Sequence, residues 1–183
     1  DAIVSLKGSN GQCLYQSEGA ASDLPLENEA YTMEAWIKTT TCGYRAFLGW
    51  GNGANHRAQV LRFDGCSRLH HYWWGHDLNA DAGKDLGDGM WHHVASTFDG
   101  WTRRIYVDFV EVGSKSGDLR PGGKLTDKSS FCVGNSFEGQ KNQPFTGELA
   151  GVRVLNRAII PSIEANPTPT VFAKDAIVSL YGS

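Results

Sequence analysis

Turn signals punctuate the chain at short intervals: Gly8-Ser9-Asn10-Gly11, Gly51-Asn52-Gly53, Asp64-Gly65, Asp88-Gly89, Asp99-Gly100 and Pro121-Gly122-Gly123. Between them lie short runs of β-branched and aromatic residues, and almost no apolar pattern of helical period. Only residues 161–166 have room for a turn of helix. Such a chain has to close its core with strands. The 22 glycines suit the turns, and 6 Trp, 6 Tyr and 8 Phe suit the strands. Residues 31–38 alternate, with Tyr31, Met33, Ala35 and Ile37 on one face. Residues 91–98 lead through Asp99-Gly100 into a return arm at 102–112, and together they read as one long hairpin. In that arm Ile105, Val107 and Phe109 share one face, and Arg104, Tyr106 and Asp108 the other. Further strands are expected at 131–134 and 149–155. The expected class is all-β, a two-sheet antiparallel sandwich.

The first nine residues, Asp1-Ala2-Ile3-Val4-Ser5-Leu6-Lys7-Gly8-Ser9, return at 175–183 with eight of nine positions identical. The spacing implies a tandem repeat of 174 residues, with 175–183 opening the next copy. Prolines at 161, 167 and 169 stiffen the stretch before it. The expected organisation is a β-sandwich module at 1–165, a Pro/Thr linker at 166–174 and the start of the next repeat at 175–183.

Seventeen basic and 20 acidic residues leave a net charge of −3. A nucleic-acid or anionic-membrane partner needs a basic face, and none is visible as a run. No apolar stretch approaches the roughly 20 residues of a membrane span, so membrane insertion is not expected. Cys13, Cys42, Cys66 and Cys132 are even in number, far apart and without a C-x-x-C pair. Two disulfides suit that spacing better than zinc, which places the chain in an oxidising, secreted or cell-surface setting. Of three connectivities, Cys42–Cys66 with Cys13–Cys132 is favoured. One bond joins neighbouring strands, and the other staples the opening strand to a late one.

Five stretches carry a resemblance: YTMEAWIK at 31–38, HYWWGHDL at 71–78, LGDGMWHHVA at 86–95, RIYVD at 104–108 and FTGELAGVRVLNRA at 145–158. In order and spacing they resemble the laminin-G-like, concanavalin A-like lectin/glucanase jelly rolls. The resemblance implies a jelly roll of two curved antiparallel sheets, found in tandem in extracellular proteins. It also implies binding of glycans or protein partners at the sandwich rim, often with calcium. Asp108 departs from the family, being followed by Phe109 where glycine is usual. A bulky residue fits poorly at a turn position with φ > 0, so a different turn is expected there.

Hydrolases of this architecture place carboxylates two apart on one strand. Here only Glu27 and Glu29 are so spaced, and they precede the strand; no enzyme is expected. Oxygen side chains at Asp77, Asn79, Asp81, Asp85 and Asp88 resemble the spacing of a calcium loop and form the candidate Ca2+ site. The competing reading is a polar loop ending in an Asp-Gly turn. His70, His71, His76, His92 and His93 offer zinc donors, but adjacent strand residues face opposite ways, which favours half-buried structural roles. Trp73, Trp74 and Trp101 are candidates for stacking on a sugar, with Arg103 and Arg104 for its acidic groups. Of Trp73 and Trp74 one should face the core, as should Trp36 and Trp91. The expected function is a structural or adhesive repeat whose partners are neighbouring repeats or identical subunits. The alternative is a lectin-like module that holds a glycan with a rim loop, calcium and an exposed Trp, with an extracellular protein as a further partner.

Overall fold

The computed structural model describes residues 3–10, 13–17, 24–117, 130–137, 142–165 and 168–169. The strands are β1 Val4–Lys7, β2 Tyr15–Ser17, β3 Tyr31–Lys38, β4 Ala46–Gly51, β5 Ala58–Phe63, β6 Arg68–Tyr72, β7 Leu78–Asp81, β8 His92–Phe98, β9 Thr102–Val107, β10 Val110–Ser116, β11 Ser130–Val133 and β12 Thr146–Leu155. They form two antiparallel sheets, β1-β12-β3-β8-β9-β10 and β2-β11-β4-β5-β6-β7, packed as a jelly-roll sandwich. No helix among the described residues is long and apolar enough to cross a membrane. The first copy of the duplicated segment supplies β1, an edge strand of the first sheet. The second copy, 175–183, lies outside the described residues, as does the 166–174 linker except for 168 and 169.

Alternation decides which side chains meet between the sheets. Tyr31, Met33, Ala35 and Ile37 of β3 point inward beside Val94 and Phe98 of β8. Facing them are Phe47, Leu48 and Trp50 of β4, Leu61 and Phe63 of β5, and Leu69 of β6. The other face of β3 is buried as well. There Glu34 accepts from Arg153 of β12 and lies 3.3 Å from His93 of β8. Burial works to raise the Glu34 carboxyl, but His93 and Arg153 outweigh it and hold the group below its usual range. Trp36 is buried as expected, whereas Trp91 is only half-buried under Lys38. Both favoured disulfides are present, with Cα–Cα distances of 5.1 Å for Cys42–Cys66 and 5.4 Å for Cys13–Cys132.

The return arm differs from expectation. It ends at Val107, turns through Asp108 and Phe109, and comes back as β10, with Val107 paired to Val110. Both turn residues are left-handed, with φ of 45° and 69°. So Phe109 does occupy the glycine-type position, and it leaves the face of Ile105 and Val107. Left-handed backbone costs about 1–2 kcal/mol per residue. Contacts offset that cost. The Asp108 carboxylate accepts from the His93 N–H at 2.8 Å, approaches His92 Nδ1 at 2.9 Å and pairs with Lys84. The Phe109 ring stacks on His93 with centroids 4.4 Å apart.

Burial works to raise the Asp108 carboxyl, but Lys84, His92 and the His93 N–H outweigh it and hold the group below the usual carboxylate range. A depressed carboxylate contributes stability that is present above its unfolded pKa and lost as the pH falls through its folded pKa. Asp108→Asn keeps the turn preference and removes the charge. It should cost about 1–2 kcal/mol at pH 7, read from urea midpoints. The gap to wild type should close as the pH is lowered below about 4.

Candidate functional site

The outward face of the second sheet gathers the side chains with most chemistry. In β5, Gln59, Leu61 and Phe63 point inward, so Ala58, Val60 and Arg62 point outward. β6 pairs Val60 with Tyr72 and Arg62 with His70, which places His70 and Tyr72 on that same outward face. Beyond β6 the alternation continues through a turn, with Trp73 inward and Trp74 outward. Ala46, Ala58, Val60 and Phe137 make an apolar floor, on which Tyr72 and Trp74 pack.

Arg62 is the centre of this face, and only 5% of it is exposed. Its Nε donates to His70 Nδ1 at 3.1 Å, and Nη1 donates to Gln143 Oε1 at 2.6 Å. Its guanidinium carbon lies over the Tyr72 ring at 4.1 Å and the Tyr44 ring at 5.0 Å. Burial pulls its pKa down, while Tyr72, Asp77, Tyr44 and Asp64 work to raise it. The other ring nitrogen of His70, Nε2, faces Asp77 at 3.4 Å. Asp77 also accepts from the Trp73 N–H at 2.9 Å and so closes the turn that presents Trp74. Burial works to raise Asp77, but His70 and that N–H hold it below its usual range. Trp74 itself is left-handed, with φ 55°.

The Cys42–Cys66 disulfide positions Tyr44, which is 57% exposed two residues after Cys42. It ties that loop to the turn between β5 and β6. Position 87 has to be glycine for this packing, since a Cβ there would lie 2.5 Å from the Cys42 sulfur.

The structure separates the residues singled out from sequence. Trp73 and Arg103 are interior and offer no surface to a ligand. The Trp73 indole N–H lies against Gln59, Tyr31 and His71, and the Arg103 guanidinium lies 3.9 Å from the Trp73 ring. Trp101 is 60% exposed at the β8–β9 turn, and Arg104 beside it pairs with Asp99 at 2.8 Å. These two belong to the first sheet, whereas Trp74 lies on the outer face of the second. Tyr44, Arg62, Tyr72 and Gln143 were not singled out from sequence.

The aspartate ladder does not form one ligand set. Residues 78–81 are the edge strand β7, with Leu78 and Ala80 in the core and Asn79 and Asp81 pointing away from it. Asp81, Asp85 and Asp88 each accept from the N–H two residues on, at 2.8 Å, and Asp77 turns toward His70. Calcium asks for six to eight converging oxygens, and these side chains do not fit it as a single site. Among the described residues the one close group of His, Cys, Asp or Glu donors is Cys42, Cys66 and Asp85, whose two sulfurs are bonded to each other. The histidines do not converge either. His71 meets Tyr31 and Ser96, His92 meets Asp88 and Asp108, and His76 packs on His56.

The profile of the concanavalin A-like lectin/glucanases superfamily, laminin G type, matches residues 15–162. No curated protein gives a significant sequence match. Among solved structures, a heptameric SAP-like pentraxin from Limulus polyphemus aligns with a TM-score of 0.63 at 14% identity, over 86% of this chain and 76% of that one. Mouse laminin α1 domains LG4-5 align at 0.58 and 18% identity, over 82% of this chain and 40% of that one. The CBM40 of a Ruminococcus gnavus IT-sialidase, bound to α2,3-sialyllactose, aligns at 0.55 and 16% identity, over 80% of this chain and 89% of that one.

Replacing both Cys42 and Cys66 with serine should cost about 3 kcal/mol, as for a loop of this order. Denaturant titration of the oxidised wild type against the double variant reads the loss.

Proposed function

The chain belongs to the concanavalin A-like lectin/glucanases superfamily, and we propose that it is a non-catalytic, extracellular module that binds carbohydrate on the outer face of its second sheet. The observation that carries this reading is the cluster of Tyr44, Tyr72 and Trp74 around Arg62. Flat aromatic faces pack against the C–H faces of sugar rings. The guanidinium, the Gln143 amide and the Asp77 carboxylate supply fixed polar partners for hydroxyls. A solved structure of similar fold holds sialyllactose, which supports the fold as a glycan carrier. The non-catalytic reading rests on the carboxylates. Glu34 is locked against Arg153 and His93, and Glu27 and Glu29 lie outside any strand. The two disulfides support an oxidising environment.

A second reading, compatible with the first, is an adhesive array built from tandem copies. The near-identity of 1–9 and 175–183 favours it, as does the use of the first copy as an edge strand. Its partners would be neighbouring repeats or identical subunits. Sedimentation that shows concentration-dependent self-association, together with a blank glycan array, would make this reading primary.

A glycan array probed with the chain, with calcium and again with chelator, tests the carbohydrate reading. Binding is expected in both conditions, because the side chains on this face need no ion to assemble. Trp74→Ala should weaken it about tenfold, the worth of one lost stacking contact, and Trp101→Ala should leave it unchanged. The reverse pattern would move the site to the β8–β9 turn.

A further inference from the structure

We propose that the ligand of this face carries a carboxylate and that Arg62 reads it; the inference rests on the carbohydrate reading above. A guanidinium taken out of water without a counter-ion costs several kcal/mol. Arg62 is 5% exposed and makes no ion pair among the described residues. The nearby acids are committed elsewhere. Asp77 and Asp64 act on it only at a distance, with Asp77 turned to His70 and Asp64 paired with Arg68 at 3.3 Å. Two tyrosine rings and the His70 and Gln143 acceptors compensate the charge in part. An anion would complete it.

The geometry favours one kind of anion. Arginine has five N–H donors. One goes to His70 and one to Gln143, and among the described residues the other three have no acceptor. One of the three belongs to Nη1 and two to Nη2, so both terminal nitrogens of the planar fork keep a donor. That planar fork matches the two oxygens of a carboxylate better than the tetrahedral oxygens of a sulfate. His70, Gln143 and Tyr72 already hold Arg62 in place, so little side-chain freedom is left to lose on binding. Tyr44 and Trp74 stand to either side in sequence and share the face, where a sugar ring bearing the carboxylate can pack. The ligand class is therefore an acidic sugar whose charge is a carboxyl group.

Calorimetric titration of the full chain tests this with four probes: α2,3-sialyllactose, its carboxyl methyl ester, a glucuronic-acid-terminated disaccharide and its ester. At least one acid should bind ten or more times tighter than its own ester. Arg62→Gln, checked for an unchanged melting transition, should abolish that preference, and 3′-sulfolactose should bind more weakly than the preferred acid. If Arg62→Gln does not fold, the acid–ester comparison on the wild type still decides. Esters that bind as well as the acids, or a sulfated sugar that binds best, would overturn the carboxylate inference and leave the carbohydrate reading standing. No binding by any probe, together with a blank glycan array, would remove the carbohydrate reading itself.

Discussion

Trp73 is the point at which the two sheets are locked. Its indole N–H lies against Gln59, Tyr31 and His71, and its ring lies over Arg103. Tyr31 and Arg103 belong to the first sheet, and Gln59 and His71 to the second. Ser96 of the first sheet meets His71 as well. Buried polar groups are costly unless all are satisfied, so such a network accepts one register and penalises others. A one-residue slip of β6 would exchange its two faces. With Trp73 and His71 held inside, His70, Tyr72 and Trp74 have to lie outside, opposite the outward side of β5. The proposed binding face is thus a consequence of the core.

Two local devices sharpen that face. The Cys42–Cys66 bond holds the Tyr44 loop against the β5–β6 turn, and Asp77 closes the turn that carries Trp74. Neither contributes much to the core. Both place aromatic side chains around a guanidinium that the sheet has removed from water. Rigid placement of this kind lowers the entropy lost on binding, which matters for ligands as polar as sugars.

Much of the scaffold is legible in the residues. The alternation of 31–38 identifies the inward side of β3, and the cysteine spacing yields the pairing that the structure holds. The face itself is not legible. Arg62 sits in a short run that reads as an ordinary strand. Its meaning depends on His70 eight residues away, on Tyr44 brought in by the disulfide and on Gln143, which is 81 residues distant. Alternation says that Trp73 and Trp74 face opposite ways, but only the Tyr31 and Gln59 partners decide which faces in. The aspartates at 81, 85 and 88 have the spacing of a metal loop, but in the structure each accepts from the N–H two residues on. Phe109 occupies a left-handed turn because His93 offers it a stacking surface, a partner from the neighbouring strand that no local rule contains.

The most direct measurement follows the indole N–H signals of the six tryptophans in a 1H–15N spectrum as the acidic sugar that binds best is added. The account predicts that the Trp74 signal moves with ligand while the Trp101 signal stays where it is. A shift at Trp101 with Trp74 unmoved would contradict it and transfer binding to the other sheet.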